Sequence, residues 1–308
     1  MLVPPQSPNG FTSLAAAAAA KEAETLLKWK ASLDNKSQTL LSSWLGDTHC
    51  NWVGITCDKA GSITNLSLPN YVEGLRASPW EQQTHWPYTR RSRNVELYLH
   101  RNELSGSIPS EIGQLGSLSD LQLSTNNLTG VIPASIGNLT SLSYLNLNGN
   151  MFSGSIPPEV GMLKSLSVLV LAKNNFSGSI PASIGNLTKL TVLFLIYNNL
   201  SGSIPPTFSN LTHLESLQLG HNHLSGQLPE NLCSNGLLVN ISVINNNLMG
   251  QIPTSLRDCK SLYRVRLEGN HLTGNISEAF GVYPNLNYIA LSNNWFYGIN
   301  LEKAFLFH

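Results

Sequence analysis

The stretch "LTVLFLIYNNLSGSIP", residues 190–205, decides the fold. A strand with one wet face alternates apolar and polar residues. Here Val192, Leu193, Phe194, Leu195, Ile196 and Tyr197 follow one another with almost no polar position. Either both faces are buried, or one is apolar for a reason outside the fold. The second half of the stretch recurs along the chain. Asn stands at Asn102, Asn126, Asn150, Asn174, Asn198, Asn222, Asn246, Asn270 and Asn294, every step being 24 residues. A Gly follows four residues after each, from Gly106 to Gly298. Ile-Pro or Leu-Pro then follows at Pro109, Pro133, Pro157, Pro181, Pro205, Pro229 and Pro253, and Ser277 breaks that series.

Each repeated residue has a task. The "LxL" pair, such as Leu121 and Leu123, points inward from a short strand, and Leu115, Leu139, Leu163, Leu187 and Leu211 close the core from the other side. One repeat cannot bury these alone, so repeats must stack and share stability with their neighbours. The repeated Asn is expected to be buried where the chain leaves the strand. Its amide can satisfy backbone groups of adjacent turns that would each cost about 1–3 kcal/mol if left unpaired. Gly permits the tight turn and Pro stiffens the convex side. The expected architecture is an α/β solenoid, right-handed, with a parallel sheet on its concave face.

The totals agree with a binding module. The chain has 308 residues with 18 basic and 18 acidic side chains. That balance gives no basic face for nucleic acid. Only 12% of residues are charged, while 33 are Asn, against roughly 25% charged in ordinary globular chains. No run reaches the ~18 apolar residues of a membrane span. Residues 1–20 form a leader-like or low-complexity segment without a basic residue ahead of its apolar stretch. That is weak for a signal peptide.

The repeats resemble the plant-type leucine-rich repeat, in particular the ectodomains of plant leucine-rich repeat receptor-like kinases. Residues 21–62, with "EAETLLKWKASLDNKSQTLLSSW" and then "CNWVGITCD", look like that family's N-terminal cap. Ala23, Leu26, Leu27 and Leu33 fit one face of a helix covering the first open repeat, and the resemblance implies a cap disulfide between Cys50 and Cys57. Residues 238–294 are similar to the branch related to the MDIS1-interacting receptor. Residues 63–94 read as a degenerate first repeat plus an irregular insertion, Tyr71 holding the place of the first repeated Asn, 31 residues before Asn102. "ASPWEQQTHWPYTRRSR" is either a genuine loop or intron read as coding sequence, and the lack of a patterned role for Trp80, Trp86 and Tyr88 favours the second. Residues 95–298 are the 24-residue repeats, and 299–308 an off-pattern tail. Phosphate-loop and catalytic-loop motifs of a kinase are not found, so no enzymatic activity is assigned and no cofactor is expected.

Cys233 and Cys259 fall in neighbouring repeats about 5 Å apart, close enough to pair, the alternative being two buried thiols. N-glycosylation sequons occur at Asn35, Asn65, Asn127, Asn138, Asn175, Asn186, Asn199, Asn210, Asn240 and Asn275. Six recur at two fixed repeat positions. With the cysteines they favour a secreted protein or the extracellular face of the plasma membrane.

With "LxL" inward, the residues six, four and two before each repeated Asn face the groove. Val168, Val170, Ala172, Val192, Phe194 and Ile196 then form an apolar block flanked by Tyr144 and Tyr197, expected to be exposed and to floor a peptide groove. Strand propensity alone is the competing reading. Arg264 and Arg266 share one face of a strand and are expected to hold a carboxylate, unless Glu268 simply balances them. Arg-x-Arg on the inner strand resembles the motif with which several plant peptide receptors hold a peptide's free C-terminus. Asn240 stands between the two features. "HNH" at His221 and His223 is not read as a metal site, because the repeated Asn222 lies between them. The resemblance implies an extracellular peptide ligand and a shorter leucine-rich repeat co-receptor kinase as partners. A secreted polygalacturonase-inhibitor-like protein and a non-functional fragment are the alternatives.

Overall fold

The computed structural model describes residues 9–46, 48–59, 61–68 and 95–298. The insertion expected at 75–94 and the tail 299–308 lie outside the described residues. Helix α1 spans Asn9–Ser32 and α2 Asn35–Leu40. Residues 9–20, leader-like by composition, are thus continuous with the cap helix. Ala23, Leu26 and Leu33 are buried with Leu27 packed beside them, as a helical face requires. Trp29, Trp44 and Trp52 complete this cluster, and the rings of Trp44 and Trp52 stack at 5.5 Å. Asp34 caps α2 by accepting from the Ser37 amide at 2.7 Å.

From the cap onward one sheet carries the chain. Eleven strands lie side by side in sequence order, from Ile55–Cys57 to Tyr288–Ala290. The first pair is antiparallel and the rest are parallel. From Glu96 onward registers step by 24 residues, as in Val168↔Val192 and Arg264↔Tyr288. Every "LxL" leucine from Leu121 to Leu219 is fully buried, each adding roughly 1.5–3 kcal/mol. Short 3-10 turns such as Ala182–Asn186 run along the opposite side.

The repeated Asn does what its position predicts. Asn174 donates through Nδ2 to the carbonyls of Leu147, Leu171 and Ala172, and its Oδ1 accepts from the Phe152 amide. The same bonds recur at Asn126, Asn150, Asn222, Asn246 and Asn270. Each Asn therefore ties its own turn to the preceding repeat.

Two features were not legible. A second parallel sheet of seven strands, from Ser153–Gly154 to Trp295–Tyr297, follows the repeated Asn. And the residue just before each repeated Asn is left-handed at all nine sites, including Arg101, Thr125, Lys173, Tyr197 and His221 with φ between 52° and 58°. That conformation costs an ordinary L residue roughly 1–2 kcal/mol. It is fixed because the amide there bonds into the next repeat, as Tyr197 does to the Gly220 carbonyl at 3.0 Å. Gly106 shows one structural use of glycine. At φ 109° a Cβ would stand 2.4 Å from the Ser32 carbonyl oxygen, so only glycine lets the cap pass over the first repeat.

Candidate functional site: the inner groove

The inner sheet places the predicted columns side by side, but not with equal exposure. Val170, Ala172, Val192 and Phe194 are buried, with Val168 and Ile196 half-buried at their edge, and the group is separate from the main core. The exposed apolar floor expected from the sequence is therefore corrected to a small closed cluster. The cause is the register. Val168 faces Val192 and Val170 faces Phe194 directly across adjacent strands, where neighbouring Cβ atoms are about 5 Å apart, and branched and aromatic side chains at that spacing cover one another. The strand of the opening stretch thus has apolar side chains on both faces because both faces are covered. Asp120, in the same column, is likewise fully buried, accepting from the Tyr98 hydroxyl at 3.1 Å. Tyr144 pairs in register with Val168 and is half-buried.

Arg264 and Arg266 are different. Both are half-buried on the strand Arg264–Arg266, on either side of the inward Val265. Arg264 lies over the Tyr288 ring at 5.4 Å. Arg266 donates through Nε to Oε1 of Glu268 at 2.9 Å, and its Nη2 reaches the same oxygen. Oε2 of Glu268 is buried without a hydrogen-bond partner among the described residues. The two guanidinium groups are thus oriented, one by a ring and one by a carboxylate. Three strand spacings, about 14 Å, separate them from Val192. Asn240 is half-buried on the strand between, in register with Ser216 and Arg264.

Tyr197 leaves the cluster it was expected to flank. Held left-handed, it stacks on His221 with ring centres 4.2 Å apart and planes 9° from parallel. Nδ1 of His221 is 3.3 Å from the Asn245 side-chain nitrogen. Burial lowers the His221 pKa, and Arg266 lowers it further, while Glu268 opposes. His223 points elsewhere, to Asn199 Oδ1 at 2.9 Å. This row of side chains was missed. Its signal was present, since Tyr197, His221 and Asn245 are spaced by 24 residues.

Cys50 and Cys57 are joined, as are Cys233 and Cys259 across adjacent repeats, with Cα atoms 5.6 and 5.9 Å apart. Among the described residues, the trio of metal-type ligands is His49 with Cys50 and Cys57; its sulfurs are already bonded to one another. Of the sequons, Asn127, Asn175 and Asn199 are exposed at the starts of outer strands. Asn138, Asn186 and Asn210 are exposed at the ends of the 3-10 turns. Asn275 uses its side chain to hold Ser277 and Glu278.

Comparison with known proteins agrees with this architecture. A leucine-rich repeat region model matches residues 133–245, a leucine-rich repeat model 95–152, and a leucine-rich repeat N-terminal domain 19–58. A probable leucine-rich repeat receptor-like protein kinase of Arabidopsis thaliana is 52% identical over 109 residues, which is 33% of this chain and 9% of the relative. The receptor protein kinase EMS1 of the same plant is 47% identical over 63 residues, 20% of this chain and 5% of the relative. The matches thus span less than a tenth of these relatives' length. Among solved structures, the Arabidopsis receptor kinase HAESA, in complex with the peptide hormone IDA and the co-receptor SERK1, is 32% identical with a TM-score of 0.63. It covers 90% of this chain and 50% of its own. The ectodomain of GASSHO1/SCHENGEN3 from Arabidopsis thaliana, in complex with CASPARIAN STRIP INTEGRITY FACTOR 2, is 32% identical with a TM-score of 0.68, covering 90% of this chain and 36% of its own. A plant ice-binding protein is 28% identical with a TM-score of 0.69, covering 90% of this chain and 79% of its own. One fold thus carries unlike functions, and the site must decide. A capped leucine-rich repeat solenoid is the class of protein defined by this fold. The chain's repeats and N-terminal cap are similar to those in the ectodomains of plant leucine-rich repeat receptor-like kinases. Its likeness to the curated kinases lies in repeat regions.

Proposed function

We propose that this chain is the extracellular ligand-binding domain of a plant receptor-like kinase and takes a peptide along its concave face. The observation that carries this is the pair Arg264 and Arg266. Two cations share one groove face, steered by Tyr288 and Glu268 rather than extended into solvent. A free peptide carboxylate is the ligand group that matches such a pair. Arg264 is the primary contact, because its partner is a ring and not an anion, and Arg266 joins by sharing itself between Glu268 and the ligand. The peptide would run from there toward Val168 and Ile196, the half-buried edge of the apolar cluster. A shorter leucine-rich repeat co-receptor kinase is the proposed second partner. The HAESA complex, solved with both a peptide hormone and a co-receptor, supports that assembly.

An extracellular or secreted location agrees with two disulfides and with the exposed sequons. Among the described residues no helix is long and apolar enough to cross a membrane. Glycans at Asn127, Asn175, Asn199, Asn138, Asn186 and Asn210 would leave the groove open. One at Asn240 would stand inside it, and Asn275 is already engaged, so glycopeptide mapping should find the six occupied and Asn240 and Asn275 bare. The functional test is selection of short N-acetylated peptides with free C-termini from a random pool. Wild-type protein should retain acid-ended sequences that Arg264→Ala/Arg266→Ala protein releases. Equal retention by both proteins would remove the clamp.

A further inference from the structure

Beside the arginines runs a second row that the clamp does not use. Tyr197, His221 and Asn245 occupy the same place in three consecutive repeats, each left-handed, at φ 58°, 53° and 51°. Their backbones are pinned by bonds from the Tyr197, His221 and Asn245 amides to Gly220, Ile244 and Glu268. Their side chains are joined as well: the Tyr197 ring lies flat on His221, and Asn245 meets Nδ1 of His221. An exposed imidazole is usually free to turn. This one is held on one face and at one nitrogen.

With Nδ1 accepting from the Asn245 amide, the ring proton sits on Nε2. No hydrogen bond to Nε2 is present among the described residues. Tyr197 itself is 47% exposed, so the stacked pair reaches solvent. The charged groups that act on the ring are Arg266 and Glu268. Tyr197 stands before it, the uncharged Asn245 follows, and Arg266 and Glu268 lie one repeat further on. His223 on the same turn is turned away to Asn199. Asn245 is also the residue whose amide bonds to the backbone of Glu268, the partner of Arg266. The row therefore ends at the clamp.

We propose that Tyr197, His221 and Asn245 form a specificity-determining anchor beside the clamp, in which Nε2–H of His221 meets an anionic oxygen of the peptide held at Arg266, so that the complex tightens in acid. The inference rests on the carboxylate reading of the groove. In the free protein, burial and Arg266 both disfavour a protonated His221. A bound anion beside the ring reverses the balance by offsetting Arg266 and accepting a hydrogen bond from Nε2–H; the added proton sits on Nδ1, where the Asn245 side-chain amide turns to present its oxygen. Protonation and binding then favour each other equally, since linkage is reciprocal. The sign follows: an anion that raises the His221 pKa binds better as pH falls through that range.

The test uses one acid-ended peptide recovered in the selection above and the whole chain. Its Kd is measured between about pH 8 and about pH 5, the range where histidine changes charge. Wild-type protein should bind about fivefold more tightly at the acid end, the size of an ordinary coupling between sites. His221→Asn keeps a residue suited to the left-handed turn and should bind with no acid gain. Nuclear magnetic resonance titration of the His221 ring should show its midpoint below the ordinary value without peptide and higher with it. A flat wild-type profile, an acid gain that persists in His221→Asn, or a midpoint unmoved by peptide would overturn the anchor while leaving the clamp intact. If the selection recovers no acid-ended peptide, or Arg264→Ala/Arg266→Ala protein binds as wild type does, the clamp itself fails and the anchor with it.

Discussion

The strands at Val192–Phe194 and Arg264–Arg266 occupy the same positions in their repeats and have different fates. Both present alternate residues to the groove. In the first, branched and aromatic side chains meet their equals in the neighbouring strand and close over. In the second, the neighbours are Asn240 and Tyr288 for Arg264 and Ser242 and Ala290 for Arg266, which leave the guanidinium groups half-open. Position in a repeat decides which face a side chain takes. The side chains 24 residues before and after decide whether that face is open.

Truncation should separate the two strands most sharply. Phe194→Ala should cost about 3 kcal/mol in urea unfolding, as for a buried aromatic, and would cost much less on an open floor. Arg264→Ala/Arg266→Ala should cost at most about 1 kcal/mol, the range of partly exposed ion pairs, yet should abolish retention of acid-ended peptides. A large loss of stability in that variant would make the arginines structural. Glu268→Gln probes the second strand more gently. With its competing anion gone, Arg266 should bind acid-ended peptides about threefold more tightly, a modest electrostatic gain; weaker binding would mean that Glu268 orients Arg266 productively.

The smallest effect sets both strands apart from the cap. Hydrogen bonds from Ser105 and Ser37 hold the Asp34 pKa at about 2, below the ordinary 3.8. A depressed carboxyl stabilises the fold above its unfolded value and loses that contribution as pH falls toward the folded one. Acid unfolding of Asp34→Asn should therefore be less steep between about pH 4 and about pH 2, with no change in either groove strand.

Much of this was legible because it is periodic. The repeated Asn, the inward leucines, and the cap helix face of Ala23 and Leu26 each follow from spacing and residue type. The left-handed turn did not. Arg101, Thr125, Lys173 and Tyr197 are not residues that advertise a positive φ; the conformation is imposed by hydrogen bonds that their amides donate to carbonyls of the next repeat. Trp29 went unread although it lies on that same face, three residues after Leu26 and four before Leu33. The groove was half-legible. The facing of Arg264 and Arg266 follows from alternation, but their pairing with Tyr288 and Glu268 depends on side-chain reach. The burial of Val170 and Phe194 needed neighbours to be compared across strands, not along one.

The central claim is that Arg264 and Arg266 read a free carboxylate in this groove. It is tested most directly by a cycle on one selected peptide, made with a free and with an amidated C-terminus, against wild-type and Arg264→Ala/Arg266→Ala protein by calorimetry. The free acid should bind wild-type protein about tenfold more tightly than the amide, about 1.4 kcal/mol, and that advantage should vanish in the variant. An advantage of the same size in both proteins would contradict the account.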